Sequence, residues 1–163
     1  MSEELPPHPS EVYRDGAKII TVEYQRELPH VKSINYLNMI RLEPLMREKK
    51  AFDMLYHSQN GITECPRSNF FAFVGDTLVT PADHVLHGNT RKLILELAET
   101  RFPVEERSMS LKELDDIDEA FVTSTTKRVL PICKINEIEI GNGLVGDRTK
   151  TIMSLFDAYT EAY

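Results

Sequence analysis

Apolar positions recur along the chain with two periods, and the change of period marks out the elements. "AKIITVEY", residues 17–24, alternates β-branched and polar residues and predicts a strand, closed by Arg26 and Pro29. In "KSINYLNMIRLEPLMREKK", Ile34, Leu37, Ile40, Leu42 and Leu45 recur at roughly helical spacing before a basic last turn, which predicts a helix that Pro44 kinks or splits. "AFDMLYHS", "NFFAFV" and "TLVTP" are separated by the turn pairs Asn60-Gly61 and Gly75-Asp76 and predict an antiparallel meander.

Leu93, Ile94, Leu97 and Ala98 form the apolar face of a further helix that opens at Gly88 and Asn89. "SLKE", from Ser110 to Glu113, has the form of a capping box and predicts a short helix. "EAFVTSTTKRVLPICKI" reads as two strands about a hydroxyl-rich turn. Gly141, Gly143 and Gly146 then precede a last helix carrying Ile152, Leu155, Phe156 and Tyr159. Residues 1–16 hold Pro6, Pro7 and Pro9, close on Asp15-Gly16, and predict an extended linker or tail with little to bury.

With 163 residues, 41% of them hydrophobic, the chain can bury the core of one domain. A net charge of −7 spread without a basic stripe argues against a nucleic-acid partner. Apolar runs such as "FFAFV" are too short to span a bilayer, and "MSEELPPHPSE" lacks a basic region followed by an apolar one, so the expectation is a soluble, cytoplasmic protein without a membrane partner. Cys65 and Cys133 show no paired spacing, which suggests neither a disulfide framework nor a zinc site and fits a reducing compartment.

Several constellations could carry chemistry. Glu64 lies where one strand crosses to the next, an unusual place for an acid, although a surface carboxylate would also explain it. "LHGNTR" sets a glycine at a helix start, where free amides and the Thr90 hydroxyl can hold a phosphate; an ordinary capped helix would read the same. Thr123, Ser124, Thr125 and Thr126 form a turn whose hydroxyls and amides can also hold an anion, and such turns are common. Lys32 lies among Leu28, Val31, Ile34 and Leu37. An amine in apolar surroundings loses its charge more easily and can attack a carbonyl, while most lysines at such junctions are merely solvated. His84 and His87 lack further ligands at fitting spacing, so no metal is expected. Cys65 has no implied histidine partner and reads as a small residue filling a tight place.

Taken in order, "VKSINYL", "GITECPRSNFFAF", "TLVTP", "LHGNTRKLILELA", "DEAFVTSTTKRVLPI" and "IGNGLVGDRTK" resemble the class IV (fold-type IV) pyridoxal-phosphate enzymes. That family includes branched-chain and D-amino acid aminotransferases and aminodeoxychorismate lyase. The resemblance covers roughly residues 17–158. It implies a mixed α/β fold, with a strongly curved, largely antiparallel sheet closing toward a barrel and helices outside.

It also implies roles. Lys32 looks like the lysine that bonds to the aldehyde of pyridoxal 5'-phosphate and later moves a proton. Glu64 looks like the acid that keeps the pyridine nitrogen protonated. Leu86 resembles the apolar residue under the ring, and Asn89 and Thr90 the phosphate cup at a helix start. Thr125 and Thr126 match the hydroxyl turn that completes the cup, with the contact open between the two. Arg26 lies where related enzymes often carry an arginine near the cofactor.

The implied reaction moves an amino group between an amino acid and a 2-oxo acid, in a homodimer. A lyase reaction on the same cofactor, and a non-catalytic binding or assembly module, are the alternatives. The family's "GITR" is "GNTR" here, and its small residues after the acid become Cys65-Pro66-Arg67, which changes the wall near the substrate. The family's smaller N-terminal domain precedes the strand at "AKIITVEY". The expectation is therefore a linker at 1–16 and the large cofactor-binding domain at 17–163.

Overall fold

The computed structural model describes residues 8–162. Its centre is a strand buried on both faces. β5 (Ser68–Val74) alternates Phe70 and Ala72 toward one core with Phe71 and Phe73 toward another. Its neighbours β8 (Glu119–Ser124) and β9 (Arg128–Ile135) alternate in the same way, with Val122, Leu130 and Ile132 in the first core and Phe121 and Val129 in the second. Phe71 and Phe121 are opposite each other in register and stack with ring centroids 5.1 Å apart. Each fully buried phenylalanine contributes about 2 kcal/mol.

The remaining strands are β1 (Ala17–Glu23), β2 (Asp53–Ser58), β3 (Gly61–Ile62), β4 (Glu64–Cys65), β6 (Thr77–Thr80), β7 (Val104–Glu106) and β10 (Ile138–Glu139). They form one strongly curled sheet in the order β3-β2-β1-β9-β8-β5-β6-β7, with β10 on β9 and β4 on β5. α1 (Ser10–Asp15), α2 (Leu37–Glu48), α3 (Asn89–Ala98) and α4 (Asp147–Glu161) complete the architecture. The first core fills the inside of the curl. α3 and α4 cover the second core, and α2 covers a third built on Ile20, Met54 and Tyr56. This is the expected mixed α/β fold with a curled sheet.

Three local expectations change. Residues Ser10–Asp15 are helical instead of extended, and Val12 and Tyr13 pack on the first core; residues 1–7 of the expected tail lie outside the described residues. α2 starts at Leu37 and runs unbroken through Pro44. It turns Met39, Leu42, Leu45 and Met46 to the sheet and leaves Leu37 and Ile40 exposed. The single antiparallel meander becomes two hairpins, β2–β3 and β5–β6, separated in the sheet by β1, β9 and β8. The reason is that β2 takes β1 as its parallel partner while β5 pairs with β8; β7 likewise runs parallel to β6. Parallel neighbours need a long crossover, which α2 and α3 supply. The capping box on Ser110 and Glu113 is present and opens a 3-10 turn at Leu111–Asp116.

Gly61 closes the β2–β3 hairpin at φ +106°, where a Cβ would overlap the Met109 carbonyl oxygen. The Ile62 amide donates to that same oxygen at 2.7 Å, so the backbone cannot retreat without losing a bond. Gly61→Ala is expected to cost on the order of 1–3 kcal/mol in denaturant unfolding. An unchanged midpoint would show that the hairpin relaxes freely.

Candidate active site

Both crossovers leave the sheet at the carboxyl ends of their first strands, the usual place for a site in parallel units. β1 delivers the segment carrying Arg26 and Lys32, and β6 delivers Leu86 followed by Asn89 and Thr90 at the start of α3. The β4–β5 hairpin brings Glu64, and the β8–β9 turn brings Thr125 and Thr126. All eight positions singled out in the sequence line one cavity of about 220 Å³.

Glu64 is 3% exposed. Its Oε1 accepts from Arg26 Nη1 at 2.7 Å, and its Oε2 accepts from the Leu86 amide at 2.9 Å and from Asn69 Nδ2 at 3.4 Å. Asn69 also donates to the Leu86 carbonyl at 2.7 Å, and Arg26 Nη2 donates to the Val31 carbonyl at 2.8 Å. One carboxylate thereby fixes three segments. Asn69 faces Glu64 in register, and the sequence reading missed it; its only signal was the polar pair Ser68-Asn69 at the start of an otherwise apolar buried strand.

The other end of the cavity suits an anion. Gly88 caps α3 in an extended conformation (φ −69°, ψ 151°), and no side chain closes the helix start. A Cβ at Gly88 would come within 3.0 Å of Asn69 Oδ1, so the close approach of the two segments favours glycine. In the facing turn, Ser124 Oγ accepts from the Lys127 amide at 3.1 Å and lies 3.4 Å from Thr126 Oγ1. Thr123 also lines the cavity; it is 1% exposed, and its Oγ1 has no hydrogen-bond partner. A buried hydroxyl in that state is satisfied by an acceptor arriving in the cavity, so the residues present fit a phosphate-bearing group.

Lys32 sits at the rim, exposed, and among the described residues it is the lysine lining this cavity. The apolar surroundings expected from the sequence are not there: Leu28, Val31 and Leu37 are exposed, and Ile34 is 91% exposed. Lys127 is buried instead and is committed elsewhere. Its Nζ donates to Asp53 Oδ2 at 2.5 Å and to Ser68 Oγ at 2.6 Å, tying the hydroxyl turn to β2 and to the β4–β5 hairpin. The sequence reading missed this pair, which residue type alone does not reveal. His84 meets Gln25 and Asn60, whereas His87 stacks on His30; among the described residues no cluster of three or more metal-ligating side chains forms. Burial pushes the Cys65 thiol well above its ordinary value, which suits a packing role. No helix among the described residues is long and apolar enough to cross a membrane.

Burial raises the pKa of Glu64, against the Leu86 amide and Arg26, which lower it. A carboxyl whose folded pKa exceeds its unfolded one contributes stability that is fully present below the unfolded value and is lost as pH rises through the folded value. Glu64→Gln removes that loss. Between about pH 4 and pH 7, denaturant unfolding is expected to show the wild-type chain losing stability relative to the variant. A difference that does not change with pH would mean Glu64 does not titrate in this window.

The family Amino-transferase class IV matches residues 1–135. The D-alanine aminotransferase of Listeria innocua is 31% identical over 146 residues, covering 87% of this chain and 50% of that protein. The D-alanine aminotransferase of Bacillus licheniformis is 30% identical over 150 residues, covering 90% and 53%. Among solved structures, the branched-chain amino acid aminotransferase of Escherichia coli aligns with TM-score 0.79 at 27% identity, over 88% of this chain and 52% of that one. The fold also matches the branched-chain aminotransferase of the archaeon Thermoproteus uzoniensis with norvaline, at TM-score 0.82 and 23% identity over 94% and 54%. The chain spans about half the length of the relatives it matches. By sequence and by fold, it belongs to the class IV aminotransferases.

Proposed function

We propose that the chain is the pyridoxal-phosphate-binding half of an aminotransferase that moves an amino group between an amino acid and a 2-oxo acid. The observation that carries this reading is the convergence on one cavity of a lysine at the rim, a buried carboxylate and an open helix start facing a hydroxyl turn. The cofactor, when bound, supplies a carbonyl for the amine and an electron-accepting ring. Lys32 would hold it through its Nζ and could carry a proton there.

Glu64 would serve the ring nitrogen. The buried carboxylate would favour a proton on that nitrogen, and the resulting cation would favour ionised Glu64. Arg26, the Leu86 amide and Asn69 keep its oxygens aimed. Leu86, which lines the cavity, would supply the apolar contact to the ring. The amides of Asn89 and Thr90, the Thr90 hydroxyl and the turn at Thr125 and Thr126 take the phosphate, the combination of dipole and donors that anions favour.

Leu28, Val31, Ile34, Leu37 and Ile40 form an exposed apolar run beside the cavity, and we assign it to contact with a second copy of the chain. Light scattering is expected to show self-association that Ile34→Lys with Leu37→Lys reduces. A clean monomer at high concentration would overturn the assignment.

Adding pyridoxal phosphate is expected to give the visible band of a lysine-bound cofactor, with borohydride fixing the label on Lys32. Lys32→Ala should abolish both. An unchanged band in that variant, or label scattered over other lysines, would overturn the role of Lys32.

A further inference from the structure

The hydroxyl turn ends on a residue that its backbone does not favour. Ser124 and Arg128 are the last pair of the β8–β9 ladder, so Thr125, Thr126 and Lys127 form the loop between them. Arg128 takes a left-handed backbone at φ +55°, a conformation that glycine or asparagine adopts at less cost. What its side chain reaches explains an arginine there. Nη2 donates to Asp157 Oδ1 at 2.7 Å and to Thr160 Oγ1 at 2.9 Å, and the guanidinium carbon lies 5.4 Å from the centroid of the Phe156 ring. The end of the turn is thereby stapled to the last two turns of α4.

α4 is a firm anchor for that staple. Ile152 and Phe156 are buried in the second core, and Glu119 at the start of β8 accepts from the Arg148 and Thr149 amides at 3.3 and 2.7 Å. The helix therefore spans the hairpin from the start of β8 to the end of the turn. From another side, Tyr13 of α1 packs on the first core and donates its hydroxyl to the Lys127 carbonyl at 3.0 Å. Burial raises the pKa of that phenol, so it remains a donor.

Tyr13 and Arg128 are not among the residues lining the cavity, but the loop they grip is. Thr125 and Thr126 are exposed, and a short loop at a surface is mobile unless something holds it. An exposed ion pair or a single hydrogen bond contributes little to stability. Its effect here is on order: donors already in place spare an arriving anion the entropy of arranging them.

We infer that Tyr13 and Arg128 are positioning residues for the cofactor phosphate, fixing from α1 and α4 the turn that Thr125 and Thr126 present to it. The inference rests on the aminotransferase reading for what bears the phosphate, and on the two contacts for how the turn is held. It gives two helices outside the cavity a part in cofactor retention.

The test titrates pyridoxal phosphate and pyridoxal, which differ by the phosphate, into the wild-type chain, Tyr13→Phe and Arg128→Gly, by calorimetry and by the visible band. Tyr13→Phe keeps the ring and removes no charge. Arg128→Gly removes the staple while suiting the left-handed backbone. Each variant is expected to bind pyridoxal phosphate about three- to tenfold more weakly, the scale of one hydrogen bond, and pyridoxal as before. Arg128→Lys, which keeps the charge, should recover part of the loss.

Wild-type affinity for pyridoxal phosphate in either variant would overturn the role of that residue. Equal weakening toward both compounds would overturn the inference, because the residues would then support the fold at large and not the phosphate. Failure of the reaction reading has a different signature, no lysine-bound band in the wild-type chain. Inorganic phosphate titrated into the unloaded chain then decides: weaker binding in both variants supports the inference, and equal binding, or none by the wild-type chain, overturns it.

Discussion

The site depends on one buried carboxylate being fully accounted for. Glu64 has left water, a step that is costly unless every oxygen finds a partner. Its partners come from the segment after β1, the loop after β6 and the strand β5. These pieces are distant in the chain and do not pair as neighbouring strands in the order they are made. Burying the charge forces them into one place, and the cavity is the space they enclose. Desolvation still dominates its pKa, so the site favours a cation arriving at Glu64.

The rest of the wall follows from the sheet. Because β5 and β8 are buried on both faces, their ends are rigid, and the turns they carry inherit that rigidity. The Lys127–Asp53 pair extends the brace to the hydroxyl turn. A buried pair of this kind constrains substitution: losing either partner leaves an isolated charge and costs several kcal/mol, whereas exchanging both for apolar residues of similar volume can be close to neutral. The two positions are therefore bound to change together or not at all.

Much of this was legible in the sequence, for physical reasons that differ by element. α3 and α4 follow from periodicity because each buries one stripe, and β1 follows from its β-branched run, which feeds Ile19 to the first core and Ile20 to the third. The helix start at Gly88 and the capping box at Ser110 follow from local backbone chemistry. The candidate site residues were legible through an ordered set of motifs, each weak alone, and the structure gathers them round one cavity. The meander was misread because turn residues announce hairpins but not which strands lie between them; β1, β9 and β8 intervene. The segment before β1 was misread because three prolines in the first nine residues masked a short amphipathic turn whose anchors are Val12 and Tyr13. Asn69 and Lys127 were missed because a polar residue in a buried strand declares a partner without naming it.

The position of β1 between β2 and β9 carries a consequence for how the chain is made. The Thr21 amide bonds to the Asn136 side chain, 115 residues further on. On a ribosome β1 can pair with β2 early, but its other edge stays open until β9 has emerged. Long-range strand pairing of this sort is slow, and an open apolar edge is a template for other chains. The middle of the finished sheet is therefore the most vulnerable part of the nascent one, and the moment at which β9 arrives governs how much of the protein reaches its native form.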